Sequence, residues 1–319
     1  MDNLNIKPLV THSQLGGTVS KMSIVLVCWN NKIYLDQCLK SLYECGLETS
    51  FDIIVVDNGS VDGSQQMLSE QYPNVILIQN QENVGLGKAS NQGIRASQGE
   101  YILLLNNDTI VNAPALEVLV AFLDDHPKAG AVGGKLLNPD GSFQSGYASF
   151  STLLEEFLIV THIGELFWAG YPSHGDSNQI KATGWLSSAC LLVRRAALRQ
   201  VGLLDESYFI YGDEADLQYR LNKSGWAIYF LPDSEIIHFG GRSMDRWKRR
   251  RMVYRGKLLF YQKNYGVFST GILRFMFFLM SFLKMLVWCA GLCIPSRSEQ
   301  AKKELRSNLD VMALCVSLR

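Results

Sequence analysis

Charge of one sign is missing from this chain. Lys and Arg number 30, Asp and Glu number 30, and the net charge is zero. That balance argues against a whole-protein electrostatic grip on nucleic acid, and no nucleic-acid partner is expected. No Cys-x-x-Cys pair occurs among Cys28, Cys38, Cys45, Cys190, Cys289, Cys293 and Cys315. An odd, scattered set reads as reduced thiols in a cytosolic setting, not a disulfide framework or a zinc site. Cys289 and Cys293 lie in an apolar run, which suits packing or lipid contact. The first twenty residues lack the apolar core of a signal peptide and are expected to form a loose tail. The phosphate-binding GxxxxGKS/T motif is absent, and Gly85-Leu86-Gly87-Lys88 does not complete GxGxxG. Neither HExxH nor GxSxG is found, and there is no internal repeat or low-complexity tract.

What is present can build a core. Of 319 residues, 47% are apolar and 19% charged, which excludes a disordered or collagen-like chain. The length allows one large domain or two small ones. Charge is uneven: 242–257 holds eight basic residues and one acid, Asp245, a local excess of +7.

Short continuous apolar runs, as expected of buried parallel strands, occur at 23–28, 52–57, 75–78 and 101–105. Between them the spacing predicts helices over 33–45, 63–71 (Asp62 as N-cap) and 83–97, then another over 113–124. Alternation at this spacing predicts a mostly parallel α/β sheet flanked by helices. Residues 138–182 lack clear periodicity and are expected to be irregular and to face the acceptor. Regularity returns with a strand at 185–193, a helix at 194–201, a helix at 214–224 closed by Gly225, and short strands at 227–231 and 235–238.

Open parallel sheets bind ligands beyond the carboxyl ends of their strands. The residues to inspect are therefore Trp29-Asn30-Asn31, Asp57-Asn58-Gly59-Ser60 and Asn106-Asn107-Asp108. A carboxylate such as Asp57 can accept from a ribose hydroxyl or a base N–H; equally, it can cap a turn. A second constellation runs from Tyr208 to Leu217 and places Asp213, Glu214 and Asp216 at a loop-to-helix junction. Such carboxylates suit a helix N-terminus, and Asp216 is explained as well by that role as by contact with a substrate. Downstream, His238 ends a short strand and is followed by two glycines and Arg242, a setting for phosphate or metal.

Taken in order, SIVLVCWNN, VVDNGSVDGS, NVGLGKASNQG, LLLNNDT, GWLSSACLLVRR, YFIYGDEADLQYR and IIHFGGRS resemble family 2 glycosyltransferases of the GT-A fold. The likeness is greatest to the rhamnosyltransferase-like branch of bacterial surface-polysaccharide synthesis, and it covers about residues 22–242. It implies a Rossmann-like sheet, a nucleotide-sugar donor, Mg2+ or Mn2+, and an inverting displacement with one base on the acceptor hydroxyl. Carried over by position, Asp57 and Asn58 hold the nucleoside, with Trp29 and Asn30 lining the base pocket. Asn83, Lys88 and Asn91 lie near the ribose or sugar. Asn106-Asn107-Asp108 stands where many relatives carry Asp-x-Asp, so Asp108 is the principal metal carboxylate. Asn106 offers an oxygen without charge. His238 is a further metal or diphosphate ligand. The base comes from the Asp213-Glu214 pair, with Glu214 ahead. Trp185, Asp216 and Arg242 fall on the acceptor side, Trp185 either stacking on a sugar or packing in the core.

The expected organisation is a tail (1–21), a GT-A domain (22–265, nucleotide-sugar half 22–112, acceptor half 113–265), a membrane-associated helix (266–294) and a C-terminal tail (295–319). Residues 275–294 are long enough to span a bilayer. Their ten strongly apolar side chains contribute roughly −3 to −6 kcal/mol against about +2.5 to +3.5 for Lys284. Thr270, Arg274, Ser281, Lys284 and Gly291 share one helical arc. The favoured reading is a helix lying in the cytoplasmic interface of the bacterial inner membrane, docked on anionic lipid by the basic run. A single span and a helix packed on protein are the alternatives, and the basic run could be a solvated face. The implied reaction moves rhamnose from dTDP-rhamnose to a lipid-linked glycan. UDP-galactose, UDP-N-acetylglucosamine or GDP-mannose are other donors, and a catalytically weak nucleotide-sugar-binding partner is the reading from another class.

Overall fold

The computed structural model describes residues 20–167, 175–240 and 246–317. Strands β1 (Met22–Cys28), β2 (Phe51–Asp57), β3 (Ile76–Gln79) and β4 (Tyr101–Asn106) are linked by helices α1 (Lys32–Glu44), α2 (Ser64–Gln71) and α3 (Leu86–Ala96). Then come β5 (Thr109–Ile110), α4 (Ala113–Asp125), β6 (Ala129–Leu137), β7 (Phe143–Gln144), β8 (Tyr147–Ala148), α5 (Leu153–Val160) and α6 (Ile163–Phe167). They are followed by β9 (Lys181–Ala182), β10 (Trp185–Leu186), β11 (Cys190–Arg194), α7 (Arg195–Val201), α8 (Asp213–Lys223) and β12 (Ala227–His238). Helices α9 (Arg246–Asn264), α10 (Gly266–Gly291) and α11 (Ser298–Ser317) complete the chain.

The main sheet runs β3-β2-β1-β4-β11-β6-β12-β5. β1 is parallel to both β2 and β4, and β11 is antiparallel to both of its neighbours. Three of the four apolar runs read from the sequence, β1, β2 and β4, lie inside it, and the fourth, β3, is at its edge. Ile24, Leu26, Ile54, Val55, Ile102 and Leu103 are completely buried. Burial on both faces explains the runs, and each such side chain stabilises the fold by roughly 1.5–3 kcal/mol. The two short strands expected at 227–238 are one strand with a register shift between Leu231 and Glu235. All seven cysteines are free, and burial pushes the Cys38 and Cys190 thiols up to about 12.

Two expectations are corrected. Residues 138–182 are not simply irregular: they hold two-residue strands too short to show a period, and α5 opens on a capping box between Thr152 and Glu155. The tail expected at 295–319 is largely helix α11, whose buried stripe includes Glu304, Ser307 and Asn308. Those polar residues mask the apolar period that would have announced the helix.

The chain divides into two compact units, so the expected boundary at 265 does not describe the grouping. One comprises 1–149, 176–209 and 213–243 and carries the sheet; the other comprises 150–175, 210–212 and 244–319. In the second, α10 buries its polar arc, with Thr270, Ser281 and Gly291 all inside. Its apolar side is outward: Phe275 is 64% exposed and Val287 71%. Part of the basic run is internal, since Arg250 pairs with Glu304 at 2.7 Å and Lys257 with Glu156 at 2.7 Å. Both acids are buried, so these pairs fix helix packing more than they add stability.

Candidate active site

In the β3-β2-β1-β4 order the winding reverses between β1 and β4, and ligands of open α/β sheets bind outside the carboxyl ends at such a point. A solvent-open cleft of ≈ 360 Å3 lies there. Its floor is apolar, from Val25, Val27 and Leu104. Its polar lining is Ser90 of α3, Asn106, Ser188, and Asp213 with Glu214. The loop into α3 is fixed by Gly85, whose backbone (φ 91°, ψ 162°) is essentially restricted to glycine. A Cβ there would meet the Phe209 carbonyl oxygen at 2.7 Å, the atom that accepts from Leu86 N.

One end of the cleft is the start of α8. The chain enters it through Tyr211 (φ 64°) and Gly212 (φ 100°). Gln218, completely buried, pins the helix to β10: Nε2 donates to Leu186 O (2.8 Å) and Glu214 O (3.0 Å), and Oε1 accepts from Leu186 N (2.8 Å). Asp213 is 2% exposed, and its Oδ1 has no hydrogen-bond partner. Burial, and then the neighbouring Glu214 carboxylate, push the Asp213 carboxyl well above its ordinary range. Half-buried Glu214 lies beside it and lines the cleft.

The raised Asp213 carboxyl has a consequence for stability. The folded chain binds this proton more tightly than the unfolded chain, so stability is full below the ordinary value of 3.8 and falls as pH rises through the folded value. Asp213→Asn removes that loss. The thermal midpoint of Asp213→Asn relative to the parent is expected to climb as pH rises above 3.8. A difference independent of pH in thermal scans would refute the assignment.

The other end gathers Asn106, Asp108 and His238. β12 pairs with β5 so that His238 lies opposite Thr109, and Phe239 N donates to Asp108 O (2.9 Å). His238 Nε2 is 3.3 Å from Asp108 Oδ1 and 3.2 Å from Asn106 Nδ2. His238 Nδ1 lies 2.6 Å from Gln144 Oε1. Among the described residues no group of three His, Cys, Asp or Glu gathers. A carboxylate, an imidazole nitrogen and an amide that presents its oxygen after a half-turn nevertheless fit Mg2+ or Mn2+, which leave remaining positions to phosphate and water.

Several expected contacts are already committed within the protein. Asn58 donates to Asn83 Oδ1 (2.9 Å) and accepts from Asn80 Nδ2 and Val84 N (both 3.1 Å), joining two loops. Asn83 Oδ1 also accepts from Gly85 N (3.0 Å). Asn91 is 1% exposed and spends its amide on Leu204 and Glu206. Asp216 pairs with Arg220 at 2.8 Å, which in turn holds the Val201 and Leu203 carbonyls. Asn58, Asn91 and Asp216 thus each hold a framework contact. Asn107 Oδ1 accepts from Asn31 Nδ2 (2.8 Å), and Asn30 fastens Ser60 and Val61.

The remaining expected residues differ in exposure, and Asp57 is completely buried. Asp57 accepts from Ser60 N (3.1 Å) and Gln65 Nε2 (2.5 Å) through Oδ2, while its buried Oδ1 has no partner. Trp29 is 40% exposed, Lys88 is exposed, and Trp185 is half-buried in β10. Arg242 lies outside the described residues. Sequence reasoning missed Ser90, Ser188, Gln144 and Gln218. Ser90 was within reach: Leu86 and Ser90 are one helical turn apart on the cleft face, whereas Lys88 and Asn91 point elsewhere.

A mostly parallel α/β sheet with an open cleft at its switch point has the architecture of the GT-A sugar transferases. The chain belongs to glycosyl transferase family 2, whose match spans residues 23–202. It is 31% identical over 243 residues to the N-acetylglucosaminyl-diphospho-decaprenol L-rhamnosyltransferase of Mycobacterium tuberculosis, covering 70% of this chain and 78% of that protein. It is 30% identical over 232 residues to the poly-beta-1,6-N-acetyl-D-glucosamine synthase of Staphylococcus aureus, covering 72% of this chain and 52% of that one. Among solved structures, the mannosyltransferase PcManGT from Pyrobaculum calidifontis, in complex with GDP-Man and Mn2+, superposes with a TM-score of 0.56. Identity is 14%, over 99% of this chain and 90% of that chain. At that identity the likeness speaks for the fold alone.

Proposed function

We propose that this protein is an inverting, cation-assisted glycosyltransferase acting on a lipid-linked glycan at a membrane surface, with dTDP-rhamnose as the first donor to test. The observation that carries the reading is that Asn106, beside Asp108 and His238, and Glu214 line one cleft. Inversion by single displacement needs a base on the attacking side and charge neutralisation on the leaving side. Glu214 takes the proton from the acceptor hydroxyl. Asp213, neutral beside it, keeps a second negative charge away from the incoming oxygen. Asp108 and His238, with the Asn106 amide oxygen, hold the cation. When bound, that ion neutralises the departing diphosphate.

The rhamnosyltransferase of M. tuberculosis is named for a decaprenol-linked acceptor, and an acceptor of that class needs a membrane. α10 is 26 residues long, and only 17% of its most apolar 18-residue stretch is buried. Its outward apolar face and the exposed Arg246, Lys248, Arg251 and Arg255 of α9 support docking in the cytoplasmic interface on anionic lipid. Because its polar arc is packed on protein, the helix is read as lying in the interface, not crossing it.

The test is turnover by purified protein with Mg2+ or Mn2+, a lipid-linked acceptor extract, and four donors: dTDP-rhamnose, UDP-galactose, UDP-N-acetylglucosamine and GDP-mannose. Acceptor-dependent release of one nucleoside diphosphate is expected. Donor binding without release under all conditions would replace the enzyme with a nucleotide-sugar-binding partner. Flotation with anionic but not neutral vesicles is expected; indifference to lipid charge would remove the docking role of α9.

A further inference from the structure

The His238 ring is held from behind by a residue that no motif marks. Gln144, half-buried in β7, makes three contacts. Its Nε2 donates to Asn138 Oδ1 (2.9 Å) and to the His238 carbonyl oxygen (3.1 Å). Its Oε1 lies 2.6 Å from His238 Nδ1. The Asn138 oxygen faces Gln144 because the Asn138 Nδ2 is spent on Ser142 Oγ (2.9 Å), and Asp140 holds Ser142 in turn.

These contacts decide the tautomer. Two oxygen acceptors identify the nitrogen end of the Gln144 amide, so its oxygen end must face the ring. An acceptor opposite Nδ1 requires Nδ1 to carry the proton. In the neutral ring Nε2 is then the lone-pair nitrogen, on the side of Asp108 Oδ1 (3.3 Å) and Asn106 (3.2 Å). β7 supplies the anchor, since Gln144 pairs with Leu136 of β6.

We infer that Gln144 is a positioning residue: it fixes the Nδ1–H tautomer and the ring plane of His238, so that Nε2 is presented to a divalent cation beside Asp108. The inference rests on the cation reading given under Proposed function. Outer partners of this kind change metal affinity by about 10–100-fold when removed.

The test is Mn2+ affinity of the full chain without donor, from the free-Mn2+ electron paramagnetic resonance signal. It is paired with the 15N tautomer pattern of His238. Gln144→Leu is expected to weaken Mn2+ binding by about 10–100-fold and to mix the tautomers. Gln144→Glu keeps an acceptor opposite Nδ1 and is expected to restore most of the affinity and the single tautomer. If Gln144→Leu does not fold, Asn138→Ala is expected to move both readouts in the same direction by less. Unchanged affinity and tautomer in Gln144→Leu, with Asp108→Ala still impaired, would overturn the positioning role alone. Unchanged affinity in Asp108→Ala as well would overturn the cation reading beneath it.

Discussion

Glu214→Gln is expected to lower kcat by about 10²–10⁴-fold, the contribution typical of a general base, while leaving donor and Mn2+ affinity close to the parent's. The amide keeps the shape of the side chain and removes only the capacity to accept a proton. Asp213→Asn is expected to cost much less, because an amide mimics the neutral acid that burial enforces at that position. The comparison is informative because the two residues are adjacent and yet differ in environment. One is 2% exposed with an unpartnered oxygen, and the other lines the cleft. Pre-steady-state transfer rates on both variants decide it. A larger chemical-step loss in Asp213→Asn than in Glu214→Gln would reverse the assignment of the base.

Asp108→Ala is expected to lose turnover by about a thousandfold, since several kcal/mol of charge stabilisation, about 4 on this estimate, correspond to that factor. Unlike Glu214→Gln, it should also lose Mn2+ affinity. Asp108 is 7% exposed, and in the first strand pairing beyond it His238 faces Thr109. The two proposed ligands are therefore set by backbone register, and little repacking is available to replace the carboxylate. Titration of Mn2+ against both turnover and binding checks this. Full recovery of turnover at saturating Mn2+ would reduce Asp108 to an auxiliary ligand. Turnover and affinity both unaffected would exclude it from the site.

Much of this was legible in the sequence, for physical reasons. β1, β2 and β4 are buried on both faces, so each had to be a continuous apolar run, and the polar residues that end such runs had to sit at the ligand edge. Asn106-Asn107-Asp108 was singled out that way, and Asp213 and Glu214 by their place at a loop-to-helix junction. Helix faces were harder to read. In NVGLGKASNQG the polar residues attract notice, but helical geometry turns Ser90 to the cleft and uses Asn91 to hold the 204–206 segment. Gln144 could not be found, because a two-residue strand has no period and its partner His238 is 94 positions away. α11 was hidden by a buried stripe that is partly polar. Asp216, for which the sequence left a helix-terminus role and a substrate contact equally open, is bound to Arg220.

The central claim is a single displacement in which Glu214 deprotonates the acceptor across the sugar from the cation end. The anomeric configuration of the transferred sugar, read by NMR on product made by the purified parent protein, tests it most directly. The account predicts a product of configuration opposite to the donor's, with no sugar attached to the protein at any stage. A product that retains the donor's configuration would contradict it, because retention needs either a second displacement or attack from the side of the leaving diphosphate, and neither uses Glu214 as placed.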